Sequence, residues 1–226
     1  MKKSERALRQ QVIATCRQLE ARGLNQGTSG NVSVRCGADA NAGFFLTPTS
    51  LSYDQMMPED IVHVTPAGRC TGRCQPSSEL LFHLAIRQER PDAIAVIHTH
   101  STHATTIACL QKDIPAVHYL VGLFGGNNLR CAPYATFGTP ELSANLLAAL
   151  AGRRAALLAN HGLVVIGADL PQALALTTEA ETLATLYWRA LCAGQPAVLS
   201  AAEMAVVVNK FRDFGYGPVV AARSSP

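Results

Sequence analysis

The chain has 226 residues, of which 48% are hydrophobic and 15% charged, and its formal net charge is +3. This composition is typical of a globular protein with a full core, and it excludes an intrinsically disordered chain. The basic residues are scattered, and no apolar run approaches the ~20 residues that cross a bilayer. Neither nucleic acid nor a membrane is therefore an expected partner.

The cysteines and the first residues indicate the compartment. Seven cysteines, an odd number in a mid-sized chain, favour a reducing environment over a disulfide framework. Residues 1–6 lead into an amphipathic helix and not into the apolar core of a signal peptide. We therefore expect a cytoplasmic protein.

The N-terminal part of the chain predicts one helix followed by short antiparallel strands. Ser4 is placed to cap a helix whose apolar stripe ends at Gly23. A loop rich in glycine and small polar residues follows over 23–31. Alternating runs then predict strands over 32–35, 43–47 and 61–64, joined by short links.

Helices and strands interleave through the rest of the chain. The sequence predicts helices over about 76–90, 104–110, 171–193 and 200–213, a helix that starts at Thr139-Pro140-Glu141, and strands over 93–99, 129–133, 155–160 and 163–166. The order does not follow strict βαβ alternation, and no linker or repeat interrupts it. We therefore predict a single α/β domain over 1–226, with a mixed or largely antiparallel central sheet covered by helices on both faces.

Two of the apolar runs end in histidines. His98 and His100 end the strand that begins near Ala93, and side chains two residues apart on an extended backbone point the same way. His161 follows the run 155–160 in a similar setting. Three histidines with a fourth position open are the ligand set of a catalytic zinc site, although histidines at a strand end can also serve only to cap it.

The positions of the remaining four histidines do not match the spacing of metal ligands. His103 falls in the following helix, where a packing or supporting role is expected. His63, His83 and His118 are isolated in the sequence, which favours ordinary structural roles for them.

The segment Pro76-Ser77-Ser78-Glu79 places hydroxyls and free backbone N–H groups beside a carboxylate at a predicted helix start. Helix N-termini bind anions, so the segment favours a phosphorylated substrate with Glu79 as a base. An acid in a first helical turn is, however, also stabilised by the helix dipole alone. The loop 27–31 lacks the Walker lysine and the dinucleotide fingerprint; it is either a tight connection or, together with Thr49 and Ser50, part of a phosphate pocket.

Seven ordered motifs resemble those of a known family. They are Gly-Leu-Asn-Gln-Gly-Thr-Ser-Gly-Asn-Val-Ser-Val-Arg (23–35), Leu-Thr-Pro-Thr (46–49), Pro-Ser-Ser-Glu (76–79), His-Thr-His (98–100), Ile-Pro-Ala-Val-His-Tyr (114–119), Cys-Ala-Pro-Tyr-Ala-Thr-Phe-Gly-Thr (131–139) and His-Gly-Leu (161–163). On these motifs the chain resembles the class II aldolase/adducin family, and within it the members that cleave L-fuculose 1-phosphate. The resemblance implies a homotetramer with active sites at the subunit interfaces and a mobile tail from about residue 214.

The resemblance also implies an activity: zinc-dependent cleavage of a ketose 1-phosphate to dihydroxyacetone phosphate and a short aldehyde. It implies one Zn²⁺ per subunit held by His98, His100 and His161. It makes Glu79 the acid/base, and it makes Tyr119 the residue that handles the proton on the leaving aldehyde oxygen in the neighbouring subunit's site. It assigns the phosphate to Thr28, Asn31, Thr49, Ser50, Ser77 and Ser78, and the aldehyde side to Phe137.

Two positions depart from the pattern of the members that cleave fuculose phosphate. Ser50 stands where they have a glycine, so the added side chain alters the surroundings of the phosphate. Phe214 stands where their tail has a tyrosine, although Tyr216 lies two residues further on. The aldehyde specificity is therefore left open.

Three alternatives remain at this point. One is a sister enzyme of the L-ribulose-5-phosphate 4-epimerase type. Another is the 3-oxo-tetronate 4-phosphate decarboxylase type, although that type carries a lysine where this chain has Ser78. A non-catalytic adducin-like binding module is disfavoured because the three histidines and Glu79 are all retained. Three histidines would also accept cobalt or manganese.

Overall fold

The computed structural model of the chain describes residues 2–37 and 39–215. Tyr216 and nearly all of the predicted tail lie outside this range. No helix within it is both long enough and apolar enough to span a membrane.

One central sheet organises the molecule. Its nine strands are β1 (Asn31–Arg35), β2 (Phe44–Leu46), β3 (Val62–Val64), β4 (Cys70–Thr71), β5 (Ala95–Thr99), β6 (Ile114–Pro115), β7 (Asn128–Ala132), β8 (Ala155–Leu158) and β9 (Gly162–Gly167). They lie in the order β4-β3-β2-β1-β5-β9-β8-β7-β6. Every neighbouring pair is antiparallel except β7 and β8, which are parallel. The predicted mixed, largely antiparallel sheet is therefore confirmed.

Helices cover both faces of the sheet. They are α1 (Lys3–Ala21), α2 (Leu80–Glu89), α3 (Thr102–Cys109), α4 (Pro140–Leu150), α5 (Leu170–Ala193) and α6 (Ala201–Asp213). Successive side chains of a strand point to opposite faces, and β5 shows the result. Ala95 and Ile97 pack in the core beneath α1 and α5, whereas Val96 packs in the core beneath α2 and α4.

Three strands at the centre of the sheet bring the candidate site together. Asn31 of β1 is paired with His98 of β5, and Thr99 of β5 is paired with Leu163 of β9. The turn from β8 to β9 contains Asn160, whose φ of 55° is in the left-handed region that tightens such a turn. This turn returns the chain directly beside the end of β5.

Gly162 is required by the same close approach. A Cβ atom at this position would lie 2.4 Å from the carbonyl oxygen of Thr99 and 2.9 Å from the ring of His100. The missing side chain therefore lets the β9 backbone reach the end of β5 and the histidine cluster.

Helices α1 and α2 begin at residues other than the predicted ones. Helix α1 is preceded by Lys2 as its cap residue, so Ser4 lies inside its first turn. Helix α2 begins only at Leu80, because the segment before it is held in extended form against the end of β2. Pro76 bridges to Pro48, and the Ser77 amide donates to the carbonyl of Thr47 at 3.1 Å. The expected placement of Glu79 in the first turn was thus wrong, since Glu79 lies at the cap position.

Candidate metal centre and anion pocket

Three histidine side chains converge at the centre of the sheet. His98 is the fourth residue of β5 and fully buried, His100 follows the end of that strand, and His161 lies in the turn before β9. Their candidate ligand atoms all lie within 4.8 Å of one another. The Nε2 atoms of His98 and His100 are 3.0 Å apart. The structure therefore brings together the three histidines that the sequence predicts as ligands.

A backbone carbonyl sets the tautomer of His98. Its Nδ1 lies 3.0 Å from the carbonyl oxygen of Leu163, which can only accept a hydrogen bond. The Nδ1 therefore carries the proton and donates it. In the tautomer that this bond selects, the lone pair is on Nε2 and faces the other histidines, which is the form that binds a metal.

Glu79 closes the fourth side of the cluster. Its Oε2 lies 3.1 Å from His98 Nε2, and its Oε1 lies 3.1 Å from His161 Nε2. Oε2 also accepts a hydrogen bond of 2.8 Å from Asn31 Nδ2, whereas the buried Oε1 has no hydrogen bond of good geometry. Converging imidazole and carboxylate lone pairs repel one another unless a cation separates them, so the residues present fit a bound divalent metal ion.

The electrostatics favour this arrangement. Burial acts to raise the pKa of Glu79, but the neighbouring His98 and His161 outweigh it and hold that pKa well below its usual range. Burial lowers the pKa of His100 to about 4, and its two histidine neighbours act in the same direction. At neutral pH Glu79 is therefore a carboxylate and His100 a neutral imidazole.

A cavity of about 330 Å³ opens in front of the cluster. Small hydroxyl and amide groups form one wall of it, and aromatic rings form the other. The lining includes all six residues predicted to bind phosphate, which are Thr28, Asn31, Thr49, Ser50, Ser77 and Ser78. Glu79, His100, His161 and Phe137 line it as well. The predicted phosphate and aldehyde residues thus share one cavity with Glu79 and with two of the three predicted metal ligands.

Ser50 keeps an unusual backbone conformation in this wall. Its φ of 58° lies in the left-handed region, which a glycine adopts without strain. The hydroxyl of Ser50 lies 3.3 Å from that of Thr49. The loop thus retains the backbone shape of the glycine that the family pattern has here, and it carries one more hydroxyl.

Tyr119 is not among the residues that line the cavity. It begins a short 3-10 turn, Tyr119–Phe124, and its half-exposed ring stacks on Phe211 at a centroid distance of 6.0 Å. The predicted role of Tyr119 in a neighbouring subunit's site is therefore consistent with its exposure, and it stays a prediction.

The sequence analysis did not single out Asn25 or Tyr134. Asn25 is buried, and its Oδ1 accepts a hydrogen bond of 3.1 Å from the His100 amide, which fixes the backbone at that ligand. Tyr134 lies on the aromatic wall. Only their presence in polar or Gly/Pro-rich loops could have indicated them.

The sequence favoured an ordinary structural role for His83, and the structure shows that it also contacts a residue of the site. It is fully buried, and its ring lies 2.5 Å from Asn31 Oδ1 and 2.8 Å from Ser33 Oγ. Asn31 in turn contacts Glu79, so His83 is connected to the site. The contact spans 52 residues, and no local pattern in the sequence reveals it.

Comparison with known proteins agrees with this geometry. The chain matches the model of a family described as the class II aldolase and adducin N-terminal domain over residues 10–188. The chain belongs to this family. Class II aldolases use a divalent metal ion, and the histidine cluster is able to hold one. The resemblance drawn from the seven motifs is therefore confirmed.

Individual members of the family are similar over nearly the whole chain. A 5-methylthioribulose-1-phosphate/5-deoxyribulose-1-phosphate aldolase of Rhodospirillum rubrum is 47% identical over 209 residues, which cover 92% of this chain and 93% of that protein. An L-fuculose phosphate aldolase of Escherichia coli is 46% identical over 209 residues, with coverages of 92% and 95%. A solved L-fuculose 1-phosphate aldolase has a TM-score of 0.87 at 38% identity, and it covers 91% of this chain and 96% of its own.

Proposed function

We propose that this protein is a metal-dependent aldolase that cleaves a ketose 1-phosphate to dihydroxyacetone phosphate and a short aldehyde. The observation that carries the proposal is the junction of two features in one cavity. A three-histidine cluster with a buried carboxylate lies next to a wall of hydroxyl and amide groups. A substrate with a phosphate at one end and a polarised ketone nearby fits both features.

The hydroxyl wall would hold the phosphate. Thr28, Thr49 and Ser50 come from two loops, and Ser77 and Ser78 come from the segment that precedes α2. Several neutral hydroxyl and amide donors in fixed positions can together hold an anion without requiring a lysine. Fixing the phosphate in this way fixes the position of the reacting bond relative to Glu79.

Glu79 would handle the proton on the phosphate-side product. In the cleavage direction, the hydroxyl on the aldehyde-side carbon loses its proton, the carbon–carbon bond breaks, and its electron pair passes to the ketone half as an enediolate. A divalent cation held by His98, His100 and His161 would supply Lewis-acid stabilisation of the negative charge that develops on that half. Glu79, after taking up a proton from solvent, would give it to the carbon of the enediolate, which completes dihydroxyacetone phosphate.

Tyr119 would handle the proton of the aldehyde oxygen in a neighbouring subunit. Its ring is half exposed and lies outside the cavity of its own chain, so it is available to a second copy. Together with the exposed Phe137 on the aldehyde wall, this favours the homotetramer with active sites at subunit interfaces that the sequence resemblance implies.

Zinc is the metal that we propose for the cluster. Three imidazoles, one of them oriented by a backbone carbonyl, and a fourth side shared with a carboxylate form the usual environment of catalytic zinc. Cobalt and manganese are the alternatives that the same ligands accept.

The names of the relatives favour two kinds of ketose 1-phosphate as the substrate. One relative acts on 5-methylthioribulose and 5-deoxyribulose 1-phosphates, and the other acts on L-fuculose phosphate. Cleavage of any of these would yield the same dihydroxyacetone phosphate. The aldehyde would be methylthioacetaldehyde, acetaldehyde or L-lactaldehyde, so the aldehyde decides between them.

An aldol-synthesis assay tests this function. Dihydroxyacetone phosphate is incubated with zinc-loaded protein and each of L-lactaldehyde, glycolaldehyde, acetaldehyde and methylthioacetaldehyde, before and after treatment with a chelator. We expect condensation that the chelator abolishes and that added zinc restores. The aldehyde with the highest kcat/KM identifies the natural substrate.

The assay also separates the alternatives. Metal-loaded protein that condenses none of these aldehydes would overturn the aldolase. Epimerisation of L-ribulose 5-phosphate by the same sample would then favour the epimerase, and loss of carbon dioxide from a 3-oxo-tetronate 4-phosphate would favour the decarboxylase. A protein that binds no stoichiometric metal would favour the adducin-like binding module.

A further inference from the structure

A chain of hydrogen bonds runs from Arg87 of α2 to the carboxylate of Glu79. Its members are Arg87, Ser33, His83, Asn31 and Glu79. The successive heavy-atom distances are 2.8, 2.8, 2.5 and 2.8 Å. The last four members are buried, so water does not compete with the bonds between them.

The chemistry of the groups fixes the direction of every bond. The carboxylate of Glu79 can only accept, so Asn31 must present its NH₂ group to it, and Asn31 Oδ1 must face His83. Oδ1 can also only accept, so the proton of His83 lies on Nε2. The Nδ1 of His83 then accepts from the Ser33 hydroxyl, whose oxygen accepts from Arg87.

His83 is also held in the neutral form that this chain needs. Burial, assisted by the positive charge of Arg87, lowers the pKa of His83 well below its usual value. A neutral imidazole has one donor and one acceptor, and both are used. Each bond polarises the next in the same direction, which strengthens the bond that ends at Glu79.

We propose that His83 is a positioning residue that acts through Asn31: its Nε2–H holds the Asn31 amide in the one orientation that donates to Glu79. Asn31 has a second amide hydrogen, and its side chain lines the anion cavity. The orientation set by His83 therefore presents donors both to the acid/base and to the substrate anion. Without His83 the amide can rotate by half a turn and place its oxygen against the carboxylate.

The inference rests on the proposed function only where turnover is measured, so a spectroscopic experiment comes first. Two-bond proton–nitrogen NMR spectra of the histidine rings are recorded on the wild-type, zinc-loaded protein. We expect His83 to be neutral and protonated on Nε2. A ring protonated on Nδ1, or an imidazolium at neutral pH, would overturn the proposal whether or not the protein is an aldolase.

Kinetics then test whether His83 acts through Asn31. His83→Leu removes the hydrogen-bond donor but still fills the space of the ring with an apolar side chain. We expect kcat to fall by ~10–100-fold with unchanged zinc content. His83→Gln can donate to Asn31 and accept from Ser33, so kcat should stay within ~3-fold of the wild type. Equal losses in the two variants would overturn the proposal, because restoring the hydrogen-bond donor would then have restored no activity.

A double-mutant cycle provides the decisive comparison. In an Asn31→Ala background, His83→Leu should reduce kcat by less than ~2-fold further, because the residue through which it acts is gone. Losses that multiply instead would show that His83 acts independently of Asn31. His63→Leu is the matched control, since His63 also bonds to a carbonyl oxygen, that of Ala42, but lies on β3 away from the cavity. Inactive wild-type protein would count against the aldolase and would leave the NMR result to decide on His83.

Discussion

The two walls of the cavity are built in opposite ways. On the metal and anion wall, His98 and Glu79 are 0% and 6% exposed, and buried groups of the same chain fix their orientation. On the aromatic wall, Tyr134 and Phe137 are 58% and 61% exposed. Large exposed aromatic rings around a cavity are typical of surfaces that another molecule covers.

This difference separates a constant part of the reaction from a variable part. The phosphate and ketone end of the proposed substrates is the same in every case, and a rigid, pre-oriented wall suits it. The aldehyde end differs between relatives, and a wall open to a second subunit can vary without disturbing the metal centre. Substitutions in one wall should therefore affect a different kinetic constant from substitutions in the other.

The largest expected effect comes from removing a metal ligand. We expect His161→Ala to lose nearly all bound zinc and to reduce kcat/KM by more than ~10³-fold, since Lewis-acid stabilisation amounts to several kcal/mol. His161 is partly exposed at the edge of the cavity, so the fold should remain intact. Elemental analysis and the aldol assay measure the two effects. Full metal content in this variant would remove His161 from the site.

The next effect comes from the acid/base. Glu79→Gln keeps the shape and the bond from Asn31 but cannot take up a proton, so kcat should fall by ~10²–10⁴-fold. The three histidines are unchanged, and zinc content should stay near that of the wild type. Unchanged turnover with bound zinc would show that Glu79 is not the acid/base.

Tyr119→Phe tests whether the open wall is completed by a second chain. We expect kcat to fall by about 10²-fold in the pure variant, because the ring remains but its proton donor is lost. Co-assembly of the Glu79→Gln and Tyr119→Phe chains should then restore part of the activity, since some sites would combine an intact Glu79 with an intact Tyr119. No recovery in verified hybrid oligomers would show that both residues act within one chain.

Ser78→Ala and Phe137→Ala compare the two walls directly. Both side chains are exposed, so neither change should unfold the protein. Ser78→Ala should raise the KM for dihydroxyacetone phosphate by ~10-fold, whichever aldehyde is used, through loss of a hydrogen bond to a charged group. Phe137→Ala should leave that KM within ~2-fold and change the ranking of the aldehydes. The opposite pattern would exchange the assignments of the two walls.

Much of this architecture could be predicted from the sequence because it depends on local patterns. Apolar runs identified β5 and β8, and the capping box of Ser200 and Glu203 identified the start of α6. The histidines at the strand ends were recognisable because their spacing and position are visible in the chain itself. The family motifs added the residues of the anion wall.

The rest depended on contacts between distant segments. The edge strands β4 and β6 have two residues each, too few to show any periodicity. The late start of α2 follows from pairing between Pro48 and Pro76, which a helix-start signal cannot reveal. The contact of His83 with Asn31 exists only because α2 crosses β1, so residues 52 apart in the chain meet.

Substitution of Ser50 gives the smallest predicted effect. It tests whether the left-handed backbone of this residue, in the wall that would hold the phosphate, is strained. A residue with a side chain at a φ of 58° is strained by ~1 kcal/mol, and a glycine removes the strain but adds freedom to the unfolded chain. We expect Ser50→Gly to raise the free energy of unfolding by less than ~1 kcal/mol and to change the KM for dihydroxyacetone phosphate by less than ~3-fold. Ser50→Ala is the matched control, because it removes the hydroxyl and keeps the strain. Urea denaturation of both variants distinguishes the two contributions: if Ser50→Ala is stabilised as much as Ser50→Gly, the backbone strain is not the cause, and the hydroxyl of Ser50 destabilises the loop.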